Sequence, residues 1–117
     1  MINKARQASK ARKQAQRVKD AKRLRELGNK GKQSIDQLKA SIKTQKKTLK
    51  EHKQKLKDFK KNPDKFDNND ILKDATPENR KKIIEGRVKA LEKQIKGQEN
   101  NLKTTKETLK IKKRLDQ

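Results

Sequence analysis

The side chains of this sequence that could do chemistry are mostly cations, with a single histidine among them. The chain of 117 residues has 37 Lys and Arg, 15 Asp and Glu, one His and no Cys. His52 is the one side chain that titrates unaided near neutral pH. As a general base it could cleave RNA, with a lysine or arginine stabilising the charge that develops. The alternative is a purely structural role, because His52 also falls on a helical apolar stripe.

Five of the eight arginines lie near the start of the sequence: Arg6, Arg12, Arg17, Arg23 and Arg25. The planar guanidinium suits phosphate and stacks on bases. These five spread around a helix instead of forming one face, which fits a deep RNA groove or a wrapped phosphate path. The alternative is a basic tail that binds any polyanion.

Between Ser34 and Asn62 all ten cations are lysines, and only three acids accompany them. Too few acids are present for mutual salt bridging, so we expect attraction to phosphate that falls steeply with salt. The alternative is an ordinary solvated helix face. With two Phe and no Trp or Tyr, stacking platforms of the OB or RRM type are not supported. The predicted nucleic-acid-binding lysines are Lys39, Lys43, Lys46, Lys50 and Lys53.

Metal and cofactor sites are not indicated. The segment 62–76 holds Asp64, Asp67, Asp70 and Asp74, but it lacks the spacing, turn glycine and closing glutamate of an EF-hand. No Gly-rich phosphate loop, catalytic triad, HExxH or Cys/His cluster is present. We expect no metal, cofactor or small-molecule ligand, and an enzyme here would have to be a metal-independent nuclease.

Composition favours an all-α fold with a narrow apolar seam. Only 26% of the residues are hydrophobic and the net charge is +22, which is too polar for a multilayer core. No apolar run approaches the roughly 20 residues of a membrane span, and the start of the sequence lacks the apolar stretch of a signal peptide. The remaining architecture is a long helical hairpin.

Two stripes with alternating steps of three and four predict its arms, near 34–61 and 77–115. Ser34 and Gln37 form a possible capping box, Asn62-Pro63 ends the first arm, and Thr76-Pro77 opens the second. Residues 62–76 form an acidic loop in which Phe66, Ile71 and Leu72 are expected to cap the tip. The stripes are Ile35, Leu38, Ile42, Gln45, Leu49, His52, Leu56 and Phe59, then Ile84, Val88, Leu91, Ile95, Gln98, Leu102, Thr105 and Leu109.

Folding the arms antiparallel pairs Gln45 with Gln98, His52 with Leu91, and Phe59 with Ile84. A meeting of the two interior glutamines would fix the register. The alternative is a parallel homodimer through either stripe.

Residues 3–27 form a third predicted helix, ending at Leu27-Gly28. Its apolar stripe of Ala8, Ala11, Ala15 and Val18 is small, so the helix either lies against the hairpin or orders on meeting a partner, the option we favour. The predicted organisation is therefore an arginine-rich basic helix or linker over 1–30 and a helical hairpin over 31–117.

Three stretches resemble the helical C-terminal domains of bacterial polymorphic toxins of the Rhs and contact-dependent inhibition type. They are Gly31–Ile35, Asn62–Asn68 and Ile83–Val88 with Leu91 and Ile95. The resemblance implies a cargo secreted within a larger carrier, acting on RNA or DNA in the target-cell cytoplasm, and neutralised by an acidic immunity protein. It supplies no catalytic motif for these residues, and the basic first 30 residues depart from it or form a linker.

The sequence therefore predicts a nucleic-acid-binding helical protein, with RNA favoured over DNA because folded RNAs accept basic helices without base-edge motifs. The rival is a non-enzymatic, cytoplasmic coiled-coil scaffold that docks an acidic protein. A nucleic-acid binder would purify with high absorbance at 260 nm, and a scaffold would not. Binding to an anionic membrane surface is disfavoured because Trp and Tyr are missing.

Overall fold

A computed structural model describes residues 3–67 and 69–116, with side chains from Gln7 onward. In these residues the chain forms three α-helices and no strand: α1 (Asn3–Glu26), α2 (Ile35–Lys61) and α3 (Pro77–Leu115). α2 and α3 pack as an antiparallel hairpin, which confirms the predicted all-α class. Short 3₁₀ turns cover Gly28–Lys32 and Pro63–Phe66.

The ends of α2 and α3 follow the local signals. The backbone N–H of Gln37 donates to Ser34 Oγ at 3.1 Å, and the N–H of Ser34 donates to Gln37 Oε1 at 2.9 Å, so the predicted capping box is confirmed. α2 ends at Lys61, before Pro63. The N–H of Asn79 donates to Thr76 Oγ1 at 3.3 Å, with Pro77 as the first helical residue.

The connection between α1 and α2 needs two glycines. Gly28 has φ +61°, in the left-handed region that favours glycine. A Cβ on Gly31 would collide with the carbonyl oxygen of Leu24. Both positions therefore fix how the chain turns after α1.

The described residues divide into two compact units. The three-helix unit comprises Met1–Ile42 and Lys103–Gln117, and so contains α1, the first turns of α2 and the last turns of α3. The hairpin unit comprises Lys43–Leu102, which holds the rest of α2 and α3 with the loop between them.

In the three-helix unit, α1 lies against α3 through polar contacts. Arg114 donates to both carboxylate oxygens of Asp20 at 2.7 and 3.1 Å, and Arg23 donates to Glu107 at 2.7 Å. Four side chains are buried in the same unit: Leu38, Thr105, Thr108 and Ile111. The apolar stripe of α1 stays exposed, with Val18 64% exposed. In this unit α1 therefore lies against α3 through ion pairs, which is the alternative to ordering on a partner.

The hairpin unit has a thin core of Leu49, Ile95 and Leu102 along the seam, with Phe59 and Leu72 nearer the loop. Leu72 is 1% exposed, and Phe66 packs on Phe59 with ring centroids 6.3 Å apart. The expectation for Ile71 was wrong, since its side chain is 44% exposed. Leu72 and Phe66 alone supply the apolar cap from the loop.

The predicted register was wrong by about one heptad. His52 bonds to Gln98, seven residues beyond the expected Leu91, and Phe59 shares a cavity with Leu91 instead of meeting Ile84. Gln98 therefore contacts His52 instead of its predicted partner, Gln45. Because α3 begins at Pro77, its first turns extend past the last residue of α2, and the loop packs against them.

Candidate nucleic-acid interface

Six of the nine lysines of α2 in the hairpin unit follow the seam in two parallel rows. They lie one and four residues after the seam residues Ile42, Leu49 and Leu56, so both rows fall on the same side of the helix. All six are exposed. They are Lys43, Lys46, Lys50, Lys53, Lys57 and Lys60.

Helix α3 places a third row on that same side. Lys89 and Lys96 stand one residue after Val88 and Ile95, and Lys82 stands one heptad earlier. The salt bridges Lys53–Glu99 (3.2 Å) and Lys60–Glu92 (3.4 Å) cross the hairpin here, showing that these flanks of α2 and α3 adjoin. We call these nine lysines the lysine face.

The lysine face keeps a large surplus of positive charge. Its acids are Glu92 and Glu99, four residues after Val88 and Ile95, with Glu85 and Glu78 one and two heptads earlier; Glu78 lies 4.0 Å from Lys82. Both bridging pairs have side chains about half exposed, so each contributes little to stability. Most of the charge on this face is left for an external anion.

The opposite side of the hairpin unit is close to neutral. One residue before the same seam positions stand Thr48 and Lys55 in α2, and Arg87, Gln94 and Asn101 in α3. The two cations of this side, Lys55 and Arg87, are matched in number by the acids Glu51 and Asp58 of α2. The strong charge of the hairpin unit is therefore confined to one side and the outer surfaces of its helices.

A similar row occurs on α3 in the three-helix unit. Lys103, Lys106, Lys110 and Lys113 continue the steps of three and four, and the last three line a shallow cavity with Leu109. Lys39, a predicted binding residue, is exposed in the same unit.

The predicted binding residues thus fall into three groups. Lys43, Lys46, Lys50 and Lys53 come together on the lysine face. Among the arginines, Arg12 and Arg25 are exposed, and Arg17 lines a cavity with Asp20 and Arg114. The side chain of Arg6 lies outside the described residues.

Arg23 is engaged by the fold. Its guanidinium donates to Glu107 at 2.7 and 3.4 Å and contacts Glu26 at 3.4 Å. These hydrogen bonds raise the pKa of Arg23 and lower the pKa of Glu107. Arg23 is therefore a docking residue for α1 and not a free phosphate ligand.

Asp20 is the structural residue that the sequence analysis missed. It is 3% exposed, and the hydrogen bonds from Arg114 lower its pKa against the opposing effect of burial. The sequence did contain a signal for this role, because Asp20 and Glu26 are the only acids in the first 33 residues. A carboxylate kept in so basic a segment indicates a specific cationic partner.

His52 is half-buried on the seam, where its Nδ1 lies 2.8 Å from Nε2 and 3.0 Å from Oε1 of Gln98. This hydrogen-bonded position suits a polar seam residue that aligns two helices. Because Nδ1 of His52 is bound to the amide of Gln98, the geometry favours a structural role for His52 over the role of a general base.

The aspartates of the loop act on the protein itself. Asp64 binds Arg80 through two hydrogen bonds of 2.5 and 2.7 Å, which lower the pKa of Asp64. Asp67 Oδ2 accepts from the backbone N–H groups of Leu72 and Lys73 at 2.9 and 3.1 Å, closing the turn. Within the described part of the chain, no three His, Cys, Asp or Glu side chains gather where they could hold a metal ion.

Comparison with protein-family models, with curated proteins and with solved structures found no match to this chain. Of the helices in the described ranges, none combines the length and apolar character needed to cross a membrane.

Proposed function

We propose that the protein binds nucleic acid electrostatically, with the lysine face contacting the phosphate backbone and RNA favoured over DNA. The observation that supports this proposal is the gathering of nine exposed lysines from two helices on one side of the hairpin unit. The α2 rows span Lys43 to Lys60, about 25 Å at 1.5 Å per residue. A regular polyanion is the complementary partner for such a surface.

The chemistry of the lysine face indicates contact with phosphates instead of base edges. It contains no arginine and no aromatic side chain. Lysine is a mobile point charge, without the planar fork that reads guanine or clamps a phosphate in two places. Binding should therefore depend weakly on sequence and strongly on salt, because each phosphate contact releases a condensed counterion.

The preference for RNA rests on the helical form of the cationic elements. Basic helices can enter the grooves and irregular folds of RNA, which is recognised largely by shape and backbone. Arg12 and Arg25 on α1 are exposed and available to extend such contacts.

The decisive experiment compares two triple variants that remove the same charge. Lys43→Gln, Lys50→Gln and Lys57→Gln together strip one row of the lysine face. Lys47→Gln, Lys61→Gln and Lys93→Gln together remove three exposed lysines from the outer helix surfaces. Affinity for a labelled RNA is measured by anisotropy over a range of salt concentrations.

For the face variant we expect the slope of log affinity against log salt to fall by about 2 to 3, and by less than about 1 for the control. Equal losses would show that the chain attracts polyanions diffusely, without a defined face. A wild-type protein that binds neither RNA nor DNA at low salt would refute the proposal. A DNA duplex of the same sequence tests the stated preference.

The resemblance to helical toxin domains adds a biological setting to the proposal. We propose that binding serves a toxic cargo that blocks translation or cleaves nucleic acid in a target cell. Expression inside bacteria should then arrest growth, and the face variant should relieve the arrest more than the control variant does. Unimpaired growth with soluble wild-type protein would remove this setting and leave the binding itself to be judged separately.

A further inference from the structure

The hairpin unit has a cavity near its loop on the side away from the lysine face. Its walls are Lys55 and Phe59 from α2, Phe66 from the 3₁₀ turn, and Arg87, Ala90 and Leu91 from α3. The cavity therefore combines both phenylalanine rings of the chain with two cations.

The apolar wall is well fixed. Phe59 is 4% exposed and supports Phe66, whose ring is tilted 53° to it. The segment carrying Phe66 is held on both sides, by the Asp64–Arg80 pair and by the hydrogen bonds to Asp67. Phe66 is half-buried, which leaves part of its ring toward the cavity.

The two cations at this cavity are matched in number by Glu51 and Asp58 on the same side of the hairpin unit, but neither is bound by them. Neither Lys55 nor Arg87 forms an ion pair with any residue in the described ranges. Arg87 is half-buried and Lys55 exposed. A planar apolar wall beside two unpaired cations suits a ligand that is planar and aromatic at one end and anionic at the other.

We propose that this cavity binds a single unpaired nucleotide of the nucleic acid, with its base on Phe66 and its phosphate at Arg87 and Lys55. The inference rests on the proposed function, since the lysine face would bring the polymer to the hairpin unit. Only an unpaired nucleotide fits, because bases inside a duplex are stacked on both sides and cannot reach an aromatic side chain. The protein would then bind a duplex at the lysine face and an unpaired nucleotide in the cavity.

The composition of the chain makes the test direct. Because it has two Phe and no other large aromatic residue, labelling with fluorophenylalanine gives two ¹⁹F signals, assigned with a Phe66→Leu variant. The probes are a single-stranded oligouridylate, a blunt RNA duplex and inorganic polyphosphate. Binding of each is followed in parallel by anisotropy or competition.

We expect the oligouridylate to shift the Phe66 signal in a saturable way, while the duplex and polyphosphate bind and leave it in place. Phe66→Leu and Arg87→Gln should each weaken single-strand binding about tenfold, with duplex binding changed less than twofold. Lys47→Gln, an exposed lysine about two helical turns before the nearest α2 residue of the cavity, Lys55, should leave both affinities within twofold.

An unmoved Phe66 signal at saturating oligouridylate would overturn the nucleotide site while leaving duplex binding intact. Unchanged single-strand affinity in both variants would overturn it equally. Failure of all three probes to bind at low salt would instead overturn the proposed function, and the nucleotide site with it.

Discussion

At the scale of single residues, His52 and Gln98 replace an apolar contact in the middle of the seam with a hydrogen bond. Both side chains are half-buried, so each would lose solvation without its partner. The pair can specify alignment more than it adds stability, because apolar residues of similar volume would tolerate the same site.

We predict that His52→Leu destabilises the protein by about 1 kcal/mol, since it leaves the half-buried amide of Gln98 without its partner. The double variant His52→Leu/Gln98→Leu should recover at least that loss. Urea unfolding followed by circular dichroism at 222 nm measures both. A double variant less stable than His52→Leu would contradict the role assigned to the pair, and unchanged RNA binding in His52→Leu serves as the control.

Asp20 and Glu107 are the carboxylates that dock α1, and their pKa values in the folded protein are lowered by Arg114 and Arg23. A lowered pKa means that the folded state binds its proton less readily than the unfolded chain does. The stabilisation is therefore present at pH values above the ordinary carboxyl pKa and is lost as pH falls through the lowered value.

We predict that Asp20→Asn lowers the Tm by a few degrees at pH 7 and that the difference from wild type shrinks as the pH falls below about 4. Melting curves by circular dichroism at fixed ionic strength measure this. Glu51→Gln removes the same charge from an exposed position and should shift the Tm by less than a degree. A difference for Asp20→Asn that grows in acid would refute the assigned direction of the pKa shift.

At the scale of elements, helix ends could be predicted from the sequence because their determinants are local. Ser34, Pro63 and Pro77 act through hydrogen bonds and backbone sterics within a few residues, and α2 and α3 begin and end within one residue of the predicted arms. The docking of α1 could not be predicted, because it depends on pairs such as Asp20–Arg114 that lie 94 residues apart.

The register escaped prediction because a seam that repeats every seven residues looks the same after a shift of one heptad. The loop decides between the two alignments. Its own structure, with Leu72 buried and Asp64 bound to Arg80, occupies the first turns of α3 and displaces α2 along them. The α2 rows of the lysine face follow from the sequence, whereas the contribution of Lys82, Lys89 and Lys96 requires the pairing of the helices.

Cysteine cross-linking can test the observed register cleanly, since the chain has no cysteine of its own. We predict that His52→Cys/Gln98→Cys forms an intramolecular disulfide under mild oxidation, because these positions face each other across the seam. Gln45→Cys/Gln98→Cys, the pair expected from the sequence, should stay reduced. Non-reducing electrophoresis and mass spectrometry read the result, and the reverse outcome would restore the sequence-based register.

At the scale of the whole molecule, a net charge of +22 on 117 residues repels itself. Ion pairs between described side chains, such as Arg114–Asp20 and Arg23–Glu107, neutralise a minor part of the cations, since the chain has 15 acids against 37 Lys and Arg. Salt should then have opposite effects on folding and on binding, since it screens repulsion within the chain and also attraction to phosphates.

We predict that the Tm rises as sodium chloride increases from 0.01 M to 1 M, over which the screening length falls from about 30 Å to about 3 Å. The triple variant Lys43→Gln/Lys50→Gln/Lys57→Gln should show a smaller rise, because less repulsion remains to be screened. Differential scanning calorimetry measures both. A Tm that falls with salt would mean that the ion pairs outweigh the repulsion.

The docking of α1 on α3 has a consequence for biosynthesis. Asp20 and its partner Arg114 lie 94 residues apart, and ribosomes add about 5–20 residues per second. Roughly 5 to 20 s therefore pass between the synthesis of Asp20 in α1 and that of Arg114 in α3. During that interval the cationic α1 segment lacks the contacts that dock it on α3. The order of translation thus makes the docking of α1 one of the last steps of folding.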